Sequence, residues 1–372
     1  MSNYTASRRR RKLFVSLSLV MLASELGAQP TAATSETAQK AFKNVQVLKD
    51  ISADDLVSSM EFISSSLGVS CDFCHVRNAF EKDDKTPKKI ARQMIQMVIT
   101  LNGQNFQGKR AVTCYTCHRG GRAPVSIPAT GTKVPSDFED TYVSEIMPED
   151  LQLKVSSGLP PVADILAKYV TALGGRSAIE RILTRMEKGS VSFDGGPRFP
   201  IEVLTKIPDK RIFTIHMQSG DSSTAFDGAK GWSSSPGSPV RDMRRADLPG
   251  ARLDADLQFA LNLQKTFSEF KALTKTKIDA SDSVLVFASN QDQPPVELYF
   301  DLDSGLLLRQ VRFAVSPLGL NPTRIDYGAY KEFDGVKVPT HLRVAGPNRH
   351  LDIKFDQITQ NVPLADSKFE RQ

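Results

Sequence analysis

Residues 71–75 read Cys-Asp-Phe-Cys-His, and residues 114–118 read Cys-Tyr-Thr-Cys-His. Each is C-x-x-C-H, the attachment pattern of c-type haem. Two thiols three positions apart reach both vinyl groups of one porphyrin as thioethers. The adjacent histidine is then carried beneath the iron as an axial ligand. The chain has four cysteines, and all of them (Cys71, Cys74, Cys114 and Cys117) belong to these two motifs. A zinc half-site and a redox dithiol are the competing readings. Zinc ribbons place their CxxC pairs about 15–20 residues apart, whereas 39 residues separate Cys74 from Cys114. A thioredoxin-like dithiol needs no histidine after its second cysteine. The pattern predicts two covalently attached haem c groups, with His75 and His118 as proximal ligands.

Outward from the motifs, the sixth ligands are read from helices. Ser52-Ala53-Asp54-Asp55 is a capping-box-like start with an acidic first turn. Leu56, Met60, Ile63 and Leu67 then form an apolar stripe, and Gly68 supplies a stop. Met60, on the helix just before Cys71, is the candidate for the first iron. Thr86-Pro87 opens a second helix and Asn102-Gly103 is read as its end. Its stripe is Ile90, Met94, Met97, Val98 and Leu101, so Met94 or Met97 reaches the second iron. His216, His341 and His350, the remaining histidines, lie in strand-like text and are read as packed or solvated. Methionine–histidine ligation fills both axial positions. That favours electron transfer over catalysis, and places a diheme peroxidase, which needs an open site, a distant third.

Farther out, Arg8 to Lys12, an apolar run from Leu13 to Leu26 and Ala28 read as an export signal over residues 1–28. Those 28 residues hold five basic side chains and one acid, leaving 43 basic against 41 acidic in the rest. The basic excess therefore belongs mostly to the signal, and nucleic-acid binding loses its support. Hydrophobic residues at 40% and charged residues at 24% exclude a disordered chain and a polytopic membrane protein. Residues 29–45 read as a flexible lead-in, 46–123 as helical, and 124–161, with six prolines, as an extended linker. From 162 to 372 the text turns β-rich after two helices, PVADILAKYVTALGG and RSAIERIL. Strand-like segments are FPIEVLTKI, RIFTIHM, SVLVFAS, VELYFDL, LLLRQVRF, VKVPTHLRV and HLDIKF, with turns at Asp227-Gly228, Asp303-Ser304-Gly305 and Asp334-Gly335. One helical insert, LDADLQFALNLQKTF, interrupts them. The expected class is multidomain α + β: a small, mainly helical multihaem domain, then an antiparallel, half-barrel-like β domain with a few helices. The proline linker predicts few contacts between the two.

VLKDISADDLVSSMEFISSSLGVSCDFCHV, KTPKKIARQMIQMVITLNG and VTCYTCHRGG together resemble the photosynthetic reaction-centre cytochrome c subunit family. The resemblance covers about residues 46–124. It implies haem sites built as helix with axial methionine, turn, then CxxCH with proximal histidine. Carried over, Met60 and His75 hold the first iron, and Met94 and His118 the second, with Met97 the fallback. Well-known members carry four haems, and this chain has motifs for two. The ALGG, FDGAKGW, YGAYKEFDGVKVPTHLRV and VPLADSKFE segments more weakly resemble the outer-membrane lipoprotein carrier, which implies a curved sheet around an apolar cavity.

Two functional readings follow. In one, an exported periplasmic diheme carrier passes electrons between redox partner proteins, among them a membrane-bound reaction centre or respiratory complex. In the other, the β domain also binds an apolar ligand such as a lipid or quinone. Residues 71–123 carry ten Lys/Arg against four acids, suited to haem propionates or to an acidic partner.

Overall fold

A computed structural model describes residues 36–124, 156–291, 293–346 and 349–371. The expected signal at 1–28, residues 29–35 of the lead-in and residues 125–155 of the linker lie outside the described residues.

Five helices build the N-terminal part: α1 (Ala38–Ala41), α2 (Ala53–Leu67), α3 (Cys71–Cys74), α4 (Thr86–Asn105) and α5 (Cys114–His118). The ends of α2 follow from local chemistry. Ser52 Oγ accepts the Asp54 amide at 3.2 Å, Asp54 and Asp55 sit in the positive first turn, and Gly68 closes the helix at φ 62°. Its buried face is serine-rich, and the hydroxyls are satisfied within the helix. Ser58 and Ser59 donate to the Asp55 carbonyl at 3.0 and 2.8 Å, and Ser66 donates to that of Phe62 at 2.7 Å. Small side chains here let other backbone approach. The Gly120 amide reaches the Ser66 carbonyl at 2.9 Å, and a Cβ on Gly68 would stand 2.2 Å from the Gly120 carbonyl oxygen.

Helix α4 runs past Asn102-Gly103, which the sequence reads as its end. The Asn102 amide instead clasps the incoming loop, donating to the Val112 carbonyl at 2.7 Å and accepting the Val112 amide at 3.0 Å. With that residue engaged sideways, the helix continues to Asn105.

The C-terminal part begins with α6 (Val162–Ala172) and α7 (Arg176–Glu180). It then forms strands β1 (Thr184–Phe193), β2 (Arg198–Lys206), β3 (Lys210–Met217), β4 (Gly220–Phe226), β5 (Gly231–Ser235) and β6 (Ser238–Asp242). Helices α8 (Leu248–Ala255) and α9 (Phe259–Thr266) follow. The expected single insert is two helices because the Asp256 carboxylate accepts the Gln258 amide and the Asn262 side chain, both at 2.9 Å, starting a new turn. The remaining strands are β7 (Glu269–Ile278), β8 (Ser281–Ser289), β9 (Val296–Asp301), β10 (Leu307–Ser316), β11 (Gly319–Phe333), β12 (Val336–Gly346) and β13 (Arg349–Gln360). All thirteen form one antiparallel sheet, in the order β6-β5-β4-β3-β2-β1-β13-β12-β11-β10-β9-β8-β7. The α + β class stands as expected.

Alternation builds the core. Val284, Val286 and Ala288 of β8 and Val296, Leu298 and Phe300 of β9 turn inward beneath α6 and α9, against Leu263 and Phe267. A smaller cluster on the opposite face gathers Leu204, Ile212, Ala225 and Trp232 around Phe369 of the C-terminal segment, where Trp232 Nε1 donates to the Phe369 carbonyl at 3.1 Å. Within β10 and β11, Arg309 and Asp326 form a buried ion pair at 2.5 Å.

The described residues from 36 onward gather into one compact unit, and the two parts touch directly. The turn between β10 and β11 inserts Leu318 beside Phe62, Ile63 and Ile95. Asn321 Nδ2 donates to the Ser58 carbonyl at 3.0 Å, Arg110 to the Ser316 carbonyl at 2.6 Å, and Arg244 pairs with Glu61 at 2.9 Å. The expectation of few contacts across the proline-rich stretch thus meets a built interface.

Candidate haem-binding site

Each CxxC pair forms a single helical turn, α3 or α5, which carries its two thiols and then its histidine. The second turn is fixed by a capping box: Thr113 Oγ1 accepts the Thr116 amide while Thr116 Oγ1 accepts the Thr113 amide at 3.0 Å. Cys71 and Cys117 are exposed, and Cys74 and Cys114 are half-buried. Burial pushes the Cys74 thiol up, with Lys85 opposing, so it stays protonated near neutrality.

The two histidines share one arrangement. His75 Nδ1 lies 3.0 Å from the Phe80 carbonyl oxygen, and His118 Nδ1 lies 3.0 Å from that of Gly121. A carbonyl only accepts, so Nδ1 carries the proton in both rings and the lone pair is on Nε2. This is the tautomer an iron ligand needs, with the ring orientation held from behind.

Around them the helical part is apolar where no polypeptide covers it. On α4, Ile95 turns into the core at 5% exposure, while Ile90 and Met97 on another face are 52% and 50% exposed. Phe80, Ile99, Leu101 and Phe106 are exposed as well. A groove of about 630 Å³ runs along α4, lined by Val47, Met97, Thr100 and Leu101 with Arg92 and Gln96. Exposed apolar surface on the same helical part as the two Nδ1-anchored histidines and the paired thiols fits porphyrins. Among the described residues no three His, Cys, Asp or Glu side chains converge as a metal-ion cage.

Met60 lies half-buried on α2 against the Phe62–Ile63–Ile95–Leu318 cluster. Met94 is half-buried on α4, and Met97 lines the groove. Helix α2 packs on α5 and α4 on α3, so each motif is braced by the helix of the other methionine. The three remaining histidines are each held by an aspartate of the sheet part: His216 by Asp221 at 2.9 Å, His341 by Asp352 at 2.7 Å and His350 by Asp194 at 3.2 Å.

Sequence reasoning missed what holds the first histidine. Lys88, 7% exposed, donates to the carbonyls of Phe80, Glu81 and Lys82 at 2.8, 3.0 and 2.8 Å, and pairs with Asp83 at 3.0 Å. Arg92 adds a second bond to Asp83 at 2.9 Å. Hydrogen bonds from Arg92, Lys88 and Asn44 hold the Asp83 carboxyl well below the usual carboxylate range. No periodicity marks Lys88 out from its neighbours Lys85 and Lys89.

Comparison with known proteins bears out the resemblance read from the motifs. Residues 18–173 match the family described as photosynthetic reaction centre cytochrome C subunit. The reaction-centre cytochrome c subunit of Thermochromatium tepidum is 34% identical over 114 residues, covering 29% of this chain and 28% of that protein. That of Rubrivivax gelatinosus is 32% identical over 122 residues, covering 32% of each. Cytochrome c-554 of Chloroflexus aurantiacus is 35% identical over 97 residues, covering 24% of this chain and 23% of that protein. The chain thus spans less than a third of the length of these relatives. Among solved structures, a LolA superfamily protein from Nitrosomonas europaea covers 57% of this chain and 99% of its own, at 14% identity and a TM-score of 0.40. At that score the likeness adds nothing to the sheet seen directly.

Proposed function

We propose that residues 46–123 form the diheme module of an exported, periplasmic electron carrier, with the β-rich part from 162 onward as its support. The observation that carries the reading is the pair of histidines, each directly after a CxxC turn, each with Nδ1 on a backbone carbonyl at 3.0 Å. Cys71 and Cys74 hold one haem, Cys114 and Cys117 the other, and His75 and His118 present Nε2 to the irons. Bound there, each haem supplies a one-electron ferric–ferrous couple. By the family resemblance Met60 would be the second ligand of the first haem. For the second haem, the motif assigns Met94, with Met97 the fallback. Filling both axial positions suits transfer rather than catalysis, and methionine raises the potential. Seven of the ten basic residues between 71 and 123 stay exposed, a surface for an acidic redox partner such as a membrane-bound reaction centre or respiratory complex.

A second reading keeps an apolar ligand, lipid or quinone, in the β part. The observation that favours it is the sheet's direct contact with α2, the helix of Met60. Mass spectrometry of purified protein would reveal such a molecule.

The primary reading is tested on denatured, full-length protein. Its mass should exceed that of the processed chain by two haems, and the haem should stay on the polypeptide in a denaturing gel. Haem lost on denaturation overturns the reading. The oxidised protein's Fe–S charge-transfer band should halve in Met60→Leu, and disappear when Met94→Leu is added. If Met97→Leu does this in place of Met94→Leu, the second ligand lies one helical turn on.

A further inference from the structure

Both proximal histidines lean on a backbone carbonyl, but the two carbonyls are not equivalent. The Gly121 carbonyl accepts His118 Nδ1 and, among the described residues, no lysine or arginine. The Phe80 carbonyl accepts His75 Nδ1 at 3.0 Å and also the Lys88 ammonium at 2.8 Å. We propose that Lys88 is a positioning residue that tunes the first haem, raising its reduction potential through the carbonyl it shares with His75. The inference rests on the diheme reading above.

Two effects act with the same sign. An ammonium on a carbonyl oxygen draws its electron density, so the carbonyl is a weaker acceptor for the His75 Nδ1 proton. The imidazole is then less imidazolate-like and donates less through Nε2, which disfavours ferric iron. The positive charge itself also disfavours the extra charge of ferric over ferrous iron. At 7% exposure Lys88 is poorly screened by water, so its field persists. The same ammonium holds the Glu81 and Lys82 carbonyls, fixing residues 80–82 as the platform for His75. Asp83, 3.0 Å away and ionised, opposes part of this field.

This opposition separates tuning from simple support. The experiment is a spectroelectrochemical titration of the full-length holoprotein, with haem content measured first. In Lys88→Met, one of the two midpoints should fall and the other stay. In Asp83→Asn, the same midpoint should rise, because the compensating charge is gone while Lys88 remains. Lys88→Arg, which keeps the charge, should stay near the unmodified protein. The affected step is assigned to the first haem by its loss in the Cys71→Ala/Cys74→Ala variant. If Lys88→Met and Asp83→Asn shift the midpoint in the same direction, or neither shifts it, Lys88 is only a staple and the proposal fails. Should Lys88→Met fail to retain haem, Asp83→Asn decides alone: a rise supports the proposal, and a fall or no change overturns it. Two bound haems with unmoved midpoints defeat this inference only, whereas absence of covalent haem defeats the parent reading.

Discussion

The sheet part closes 25 buried apolar side chains into its main core, whereas the helical part closes four, and one of those, Leu318, is lent by the sheet. Exposure runs the other way. Of ten exposed large apolar side chains among the described residues, eight lie between Phe42 and Phe106, with only Leu183 and Val315 elsewhere. A segment this short cannot offset its conformational entropy with so little burial. Its apolar faces are shaped for something other than polypeptide, and the two CxxCH turns say what. The sheet is a self-sufficient body; the helical module is half of one, completed by cofactor and by a borrowed leucine.

The comparison breaks most visibly if the module folds without haem. Replacing all four cysteines by alanine should leave the amides of Ala53–Leu67 and Thr86–Asn105 exchanging as in an unfolded chain, while the inner strands of the sheet keep their protection. Hydrogen exchange by mass spectrometry reads both regions at once, and protected helices in that variant would falsify the contrast.

A smaller effect tests the borrowed side chain. Leu318→Ala removes a buried leucine and should destabilise by about 2–5 kcal/mol. Denaturant unfolding followed at the haem absorbance should shift to lower concentration. If emission from Trp232, the sole tryptophan, keeps its midpoint, the two parts unfold separately; if both midpoints move together, the interface makes them one cooperative body.

The smallest effect is confined to the sheet's outer face. Hydrogen bonds from Lys206 and Lys210 hold the Asp366 carboxyl down at about 2, below an ordinary value near 3.8. A carboxyl depressed in the folded state stabilises fully above its unfolded value and loses that contribution as pH falls toward the folded one. Between about pH 4 and pH 2 the C-terminal segment should therefore loosen from Trp232, and its emission should shift to the red. Asp366→Asn should remove the pH dependence in this window.

Much of the module was legible in the sequence because its determinants are local. Ser52, Gly68, Thr86-Pro87 and the two CxxCH turns each act within a few residues, and the structure puts the helix starts where those residues place them. The end of α4 was misread because Asn102 serves a loop ten positions on. In the sheet, the alternating strands β2, β3, β8–β10, β12 and β13 were readable. Strands β4–β6 were not: GDSSTAF buries only its last two residues and GWSSS only its first two, SPVRD buries none, and β6 is an edge that tolerates Pro239. Leu318 and Lys88 were invisible in the sequence. One acts on a helix some 250 residues away, and the other matters only through the carbonyl it shares.

The strand order also sets a timetable. Strands β1 and β13, first and last in the chain, lie side by side in mid-sheet, while the edges β6 and β7 are consecutive in sequence. A chain emerging from its N-terminus lays down two meanders of nearest-neighbour pairings, and neither joins the other until residues 349–360 arrive. The turn that presents Leu318 belongs to the second meander. At roughly 5–20 residues per second, the second CxxCH turn is complete roughly 10–40 s before Leu318 is synthesised. For that interval both pairs of thiols are made while the leucine that later braces α2 does not yet exist.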